Sequence, residues 1–198
     1  MNPILTLKPE AFEQATRYEK KVIENLDRRQ WKHPREGVYF HRYLGERAFR
    51  AWLFNQGLHN FWHLDDMGYS SGCHFELRTS NGFELPVGLV HLHSQRDHEI
   101  RIYQKLRMRT HAKIWVITRV VELTPSPQIE ILGYITKNAI INRTDDLDQF
   151  GKKFARVPIL DLRPIDDIVE RCLPSSVEWR DAQALYFEEK RKADRGRA

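Results

Sequence analysis

The chain has 198 residues, of which 41% are hydrophobic and 30% charged, and its formal net charge is +5. These values suit one domain with a sizeable core and a well-solvated surface, and the positive balance fits contact with a polyanion. They exclude a membrane-spanning chain, since no apolar run approaches the required length, and Cys73 and Cys172 provide neither a CxxC pair nor a disulfide framework. The opening MNPILTLKPEAFEQ turns acidic and polar too early for a signal peptide, so a soluble cytoplasmic protein is expected.

Pro9 fits the first turn of a helix that continues through Phe12, Ala15, Tyr18, Val22 and Leu26 at helical spacing. Its polar face, with Arg17, Lys20, Lys21, Arg28 and Arg29, reads as a solvated amphipathic surface. Residues 1–37 form an N-terminal helical extension, closed by the connector WKHPREG. A second helix is predicted from Val38 to Gln56, with Leu44, Ala48, Ala51 and Trp52 on its apolar side and Gly57 as its stop. Glu46 sits beside that apolar side. A strand begins at Phe61, Trp62 and Leu64 and ends in Asp65-Asp66. His59 and His63 have the spacing of a helical metal pair, but Gly57 ends the helix before them.

Gly72 to Ser94 reads as a β-hairpin turning at Asn81-Gly82. A two-residue turn there would pair Arg78 with Leu85, Glu76 with Val87 and His74 with Leu89. Side chains alternate along a strand, so Leu89, His91 and His93 share a face, and that register brings His74 to it. The segment Gln95 to Thr110 carries Arg96, Arg101, Lys105, Arg107 and Arg109, and Ile100, Tyr103 and Leu106 would turn inward if it were a helix. That would leave a basic strip beside the hairpin, a footprint suited to phosphate contact.

Two neighbouring buried strands follow at Lys113–Glu122 and Ile129–Thr136. A short helix is expected within Lys137–Phe150, an edge strand at Val157–Leu160, and a helix from Pro164 through Val169. A last amphipathic helix spans Glu178–Lys192, and the basic tail from 190 to 198 reads as flexible. The sum is one α/β domain over 1–198, a central mixed β-sheet with helices on both faces.

This order of elements, a helix carrying Gly45-Glu46, a hairpin, a basic segment and two strands ending in GYIT, resembles the restriction-endonuclease-like, or PD-(D/E)XK, nuclease superfamily. The resemblance covers roughly residues 38 to 165 and rests on element order more than on identities. It implies a helix glutamate, an aspartate on the first hairpin strand and a D/E-x-K triplet on the second, with carboxylates holding divalent ions and the lysine helping to activate water. Glu46 matches the helix acid. His74 stands at the aspartate position, and His91-Leu92-His93, followed by Ser94, stands at the triplet. Glu76 and Glu84 are nearby acids, but neither heads an E-x-K triplet.

Two chemistries follow from that departure. Magnesium requires oxygen ligands, so an imidazole set is poorly suited to it; zinc and other nitrogen-accepting metals suit His74, His91 and His93, with Glu46 as fourth ligand or general base. In that case the chain is a metal-dependent nuclease or phosphodiesterase using Zn, Mn or Mg. In the other, the histidines fill a cleft that has lost catalysis, and the domain is a DNA- or RNA-binding or structural module. An interaction protein, as a homodimer or a part of a larger complex and with no membrane partner, is the third reading. HLHSQRD also resembles part of a cupin motif, but no second histidine motif accompanies it and helices occupy both ends. Neither a phosphate-cradling GxGxxG or GxxxxGK[ST] loop nor a GxSxG nucleophile elbow is present.

Overall fold

The computed structural model describes residues 2–28, 37–59, 61–63, 75–79, 83–92, 98–104, 111–123 and 126–172. Strand β1 (Ile4–Thr6) leads into helix α1 (Glu10–Arg28), and α2 runs Val38–Asn55. Both helices follow the apolar spacing read from the sequence. At the end of α2 the Leu58 N–H donates to the Leu53 carbonyl at 2.9 Å and the Gly57 N–H to Phe54 at 3.0 Å. This is the paired closure by which a glycine satisfies the last carbonyls of a helix.

The remaining elements are β2 (Phe61–His63), β3 (Phe75–Arg78), β4 (Glu84–Leu92), β5 (Glu99–Tyr103), β6 (Ile114–Glu122), β7 (Gln128–Thr136), α3 (Lys137–Ile141), β8 (Asp145–Leu147), β9 (Lys153–Pro158) and α4 (Asp167–Arg171). Six strands form a mixed sheet in the order β1-β7-β6-β4-β3-β2, and β5, β9 and β8 form a second sheet. In the large sheet β4 and β6 are parallel and the other pairs antiparallel. The fold is therefore α/β with a central mixed sheet, as expected.

One face of the large sheet receives α2. Phe49, Trp52 and Leu53 pack there with Phe75, Val87, Leu89, Ile114 and Val116. α1 is held against α2 by Ala11, Ala15, Leu44 and Ala48. Alternation sends the other residues of β6, Trp115 and Ile117, to the opposite face, where they bury against Ile100, Ile102, Ala155 and Val157 of the second sheet and Ile140 of α3. The described cover on this side is mainly a sheet, with α3 as its helical part. Continuous apolar runs such as Ile114–Ile117 reflect strands buried on both faces.

Three further expectations change. Glu99–Tyr103 is a strand, not part of a basic helix, because Ile100 and Ile102 are buried at a period of two while Arg101 and Tyr103 are exposed. Lys153–Pro158 is the middle strand of its sheet, flanked by β5 and β8, rather than an edge strand starting at Val157. The hairpin register is one residue off the expected one: Arg78 pairs with Glu84, Glu76 with Pro86 and Phe75 with Val87. The Thr79 N–H donates to the Phe83 carbonyl at 2.9 Å, so three residues separate the strands instead of two. A slip of one reverses every facing relation, and here it places Phe75 and Leu77, both buried, toward α2. The predicted helix at Glu178–Lys192 lies outside the described residues.

Candidate functional site

The site expected around Glu46 and His91 is built where α2 crosses β4 and β6. His91 follows Val87 and Leu89 on the face of β4 that meets the helix, and it pairs in parallel register with Thr118 of β6. His91 Nδ1 and Thr118 Oγ1 lie 2.5 Å apart and share a hydrogen bond. Above them Gly45 brings the helix backbone close: a Cβ at that position would sit 2.1 Å from His91 Cε1, 2.2 Å from Nδ1 and 2.6 Å from Thr118 Oγ1. The imidazole and hydroxyl therefore occupy the space that a side chain at 45 would need.

Glu46, next in the helix, is 4% exposed and is one of two buried polar residues among those described; Thr118 is the other. Arg42, one turn earlier, donates from Nε to Glu46 Oε1 at 2.6 Å. The Arg42 side chain keeps 26% of its surface exposed and the Glu46 side chain 5%, so the pair bridges from solvent into the interface. A carboxylate buried this far is stable only with such a charged hydrogen-bonding partner. A lone helix glutamate normally faces solvent, and Glu46 does not.

Thr118 owes its place partly to a bulge. Ile117 pairs with Gly133 but Thr118 with Ile131, so β7 carries one extra residue beside the site. Gly133 has φ 137°, and a Cβ there would lie 2.4 Å from the Arg163 carbonyl oxygen. Only glycine accepts both the backbone angle and that approach.

The chain matches no protein-family model, no curated protein and no solved structure.

Glu46 lies on α2 and His91 on β4, neighbouring elements, and the α2 residue set directly against His91 is Gly45. His74 and His93 lie outside the described residues, as do Arg96, Lys105, Arg107 and Arg109. Arg101 is not part of a helical strip beside the hairpin: it sits on β5 in the second sheet, with Nε 3.5 Å from Glu99 and its guanidinium 5.3 Å from the Phe154 ring centre. Among the described residues no group of three His, Cys, Asp or Glu side chains could hold a metal ion. The Glu46 carboxylate is buried and engaged by Arg42, and the Nδ1 of His91 is engaged by Thr118. Glu76 lies on the face of β3 away from α2, and burial first, then the Glu84 carboxylate, raises its pKa above the ordinary range.

The sequence gives no sign of a role for Thr118, and the roles of Arg42 and Gly45 are not drawn from it above. Two signals point to Gly45 and Arg42. A glycine inside a helix costs stability unless something needs the space, and arginine four residues before a glutamate places the two side chains together.

Proposed function

We propose that this protein is a nucleic-acid-associated module whose nuclease-like cleft is catalytically inert. What supports the reading is the occupancy of the helix–strand junction. At the position that the resemblance gives to the first acid of a D/E-x-K triplet stands His91, hydrogen-bonded to Thr118 and packed against Gly45. Glu46, at the helix-acid position, is neutralised by Arg42. Catalytic magnesium needs carboxylate oxygens in an accessible, hydrated site, and this pairing offers none of that access. The order of α2 followed by the β3–β4 hairpin, together with the net charge of +5, favours retention of nucleic-acid binding over an unrelated role.

The test combines binding and cleavage. Fluorescence anisotropy should show oligonucleotide binding at low salt that weakens steeply as salt rises. Plasmid and oligonucleotide substrates should stay intact in Mg2+, Mn2+ or Zn2+. Absence of binding at low salt would remove the nucleic-acid role, and cleavage lost on Glu46→Gln or His91→Ala would replace inertness with the metal-dependent reading.

A further inference from the structure

A groove of about 590 Å3 runs between the start of α1 and the second half of α2, with Lys8, Glu10, Gln14, Arg47, Arg50 and Phe54 among its lining residues. It is separate from the His91 junction, and its cations differ from the arginines that are paired elsewhere. Arg17, Arg42, Arg101, Arg119, Arg143 and Arg156 each hold a carboxylate within salt-bridge distance. Among the described residues no carboxylate pairs with Lys8, Arg47 or Arg50. Arg47 donates from Nε and Nη2 to the Tyr43 hydroxyl at 3.0 and 2.7 Å, and from Nη2 to Gln14 Oε1 at 3.2 Å. These acceptors are neutral, so they fix the guanidinium in place without offsetting its charge. Arg50 lies over the Phe54 ring, 5.6 Å from its centre, and Phe54 is 42% exposed. Three cations and an aromatic platform thus line the groove, against one acid, Glu10. The helix terminus is not what would hold an anion here: the Ala11 and Phe12 N–H groups already donate to the Lys8 and Pro9 carbonyls at 2.9 and 3.1 Å.

We propose that this groove binds single-stranded nucleic acid, with Lys8, Arg47 and Arg50 facing the phosphates and the Phe54–Arg50 pair stacking a base. The inference rests on the nucleic-acid reading above and names the surface and the strandedness. Unpaired cations supply a backbone track that needs no sequence, and an exposed ring capped by a planar guanidinium stacks any unpaired base. A duplex would meet the cations but would hide its base faces from Phe54.

The experiment is anisotropy across a salt series with a labelled oligothymidine of about 20 nucleotides and a duplex of the same length. The single strand should bind more tightly. Combining Lys8→Gln, Arg47→Gln and Arg50→Gln should flatten the slope of log affinity against log salt by about 2, at roughly 0.7 per lost phosphate contact. Phe54→Ala should weaken single-strand binding about tenfold, leaving the salt slope and duplex binding unchanged. Near-UV circular dichroism checks the fold. If the triple variant is disturbed, Lys8→Gln and Arg50→Gln singly, both at exposed positions, should each lower the slope by about 0.7. Wild-type binding that survives the triple variant would overturn the groove while sparing the nucleic-acid role. Equal or tighter duplex binding would overturn the single-strand assignment, and no binding to either probe at low salt would overturn both readings.

Discussion

At Gly45 a single missing methyl sets the geometry of the helix–strand junction, since a Cβ there would approach His91 Cε1 to 2.1 Å. Glycine to alanine in a helix interior ordinarily gains about 0.5–1 kcal/mol. Here the overlap forces His91 or the helix to move, at a cost of roughly 1–3 kcal/mol. The clash wins, so Gly45→Ala should destabilise the protein by about 1–2 kcal/mol in urea unfolding. In a His91→Ala background the same change should cost less, because the ring is gone and only the Thr118 hydroxyl, 2.6 Å from the added Cβ, still opposes it. Equal effects in both backgrounds would show that the contact does not govern the junction. Glu46 was legible in the sequence as a candidate by type and place, and His91 by strand alternation. Their engagement was not, because it depends on Arg42, four residues along the helix, and on Thr118, 27 residues along the chain from His91.

The β3–β4 and β8–β9 hairpins carry two carboxylates whose environments act in opposite directions. Burial, reinforced by Glu84, raises the Glu76 pKa, so folding disfavours its charged form. The resulting deficit is present at neutral pH and disappears once the pH falls below the carboxylate range. Glu76→Gln should therefore raise the melting temperature by about 1–2 °C at pH 7, and the gain should vanish below the carboxylate range. A pH-independent gain would point to packing instead of charge. Asp148 is the reverse case. Its Oδ1 accepts the Lys152 N–H at 2.8 Å and the Phe150 N–H at 2.9 Å. The Lys152 bond first, with help from Phe150 and the Tyr103 hydroxyl and against desolvation, holds the carboxyl below its ordinary value. The support it gives the turn is complete above the ordinary aspartate range and is lost as pH falls through the depressed value. Amide resonances of Phe150 and Lys152 should titrate with a midpoint below that of an ordinary aspartate, and Asp148→Asn should abolish that step. Periodicity made α1, α2, β6 and β7 legible, since long repeating apolar patterns leave little choice. The hairpin register depended on a turn of three residues where Asn81-Gly82 suggested two. β5 was misread because a five-residue strand rich in charge, EIRIY, also fits a helical pattern.

Across the whole molecule, the net charge of +5 says nothing about where uncompensated charge sits, and partner assignment decides it. On the second sheet Arg156 donates from Nε to Asp146 at 2.5 Å and from Nη1 to Glu99 at 3.1 Å. Arg101 lies against the same Glu99, and both guanidinium groups lie over the Phe154 ring. Two of the basic residues on this side thus share carboxylates, whereas among the described residues Lys8, Arg47 and Arg50 of the α1–α2 groove have none. Phosphate binding releases counterions only where a cation is available, so the two sides should contribute unequally. Arg101→Gln should leave the salt slope for oligonucleotide binding within about 0.2 of wild type. Glu99→Gln, by freeing Arg101 and relaxing Arg156, should steepen it by up to about 1. A loss of about 0.7 on Arg101→Gln would instead make this arginine a direct phosphate contact, with the second sheet inside the binding surface. An unchanged slope, with affinity governed by the groove residues, would place the nucleic acid against α1 and α2, on the face that also carries Glu46 and His91.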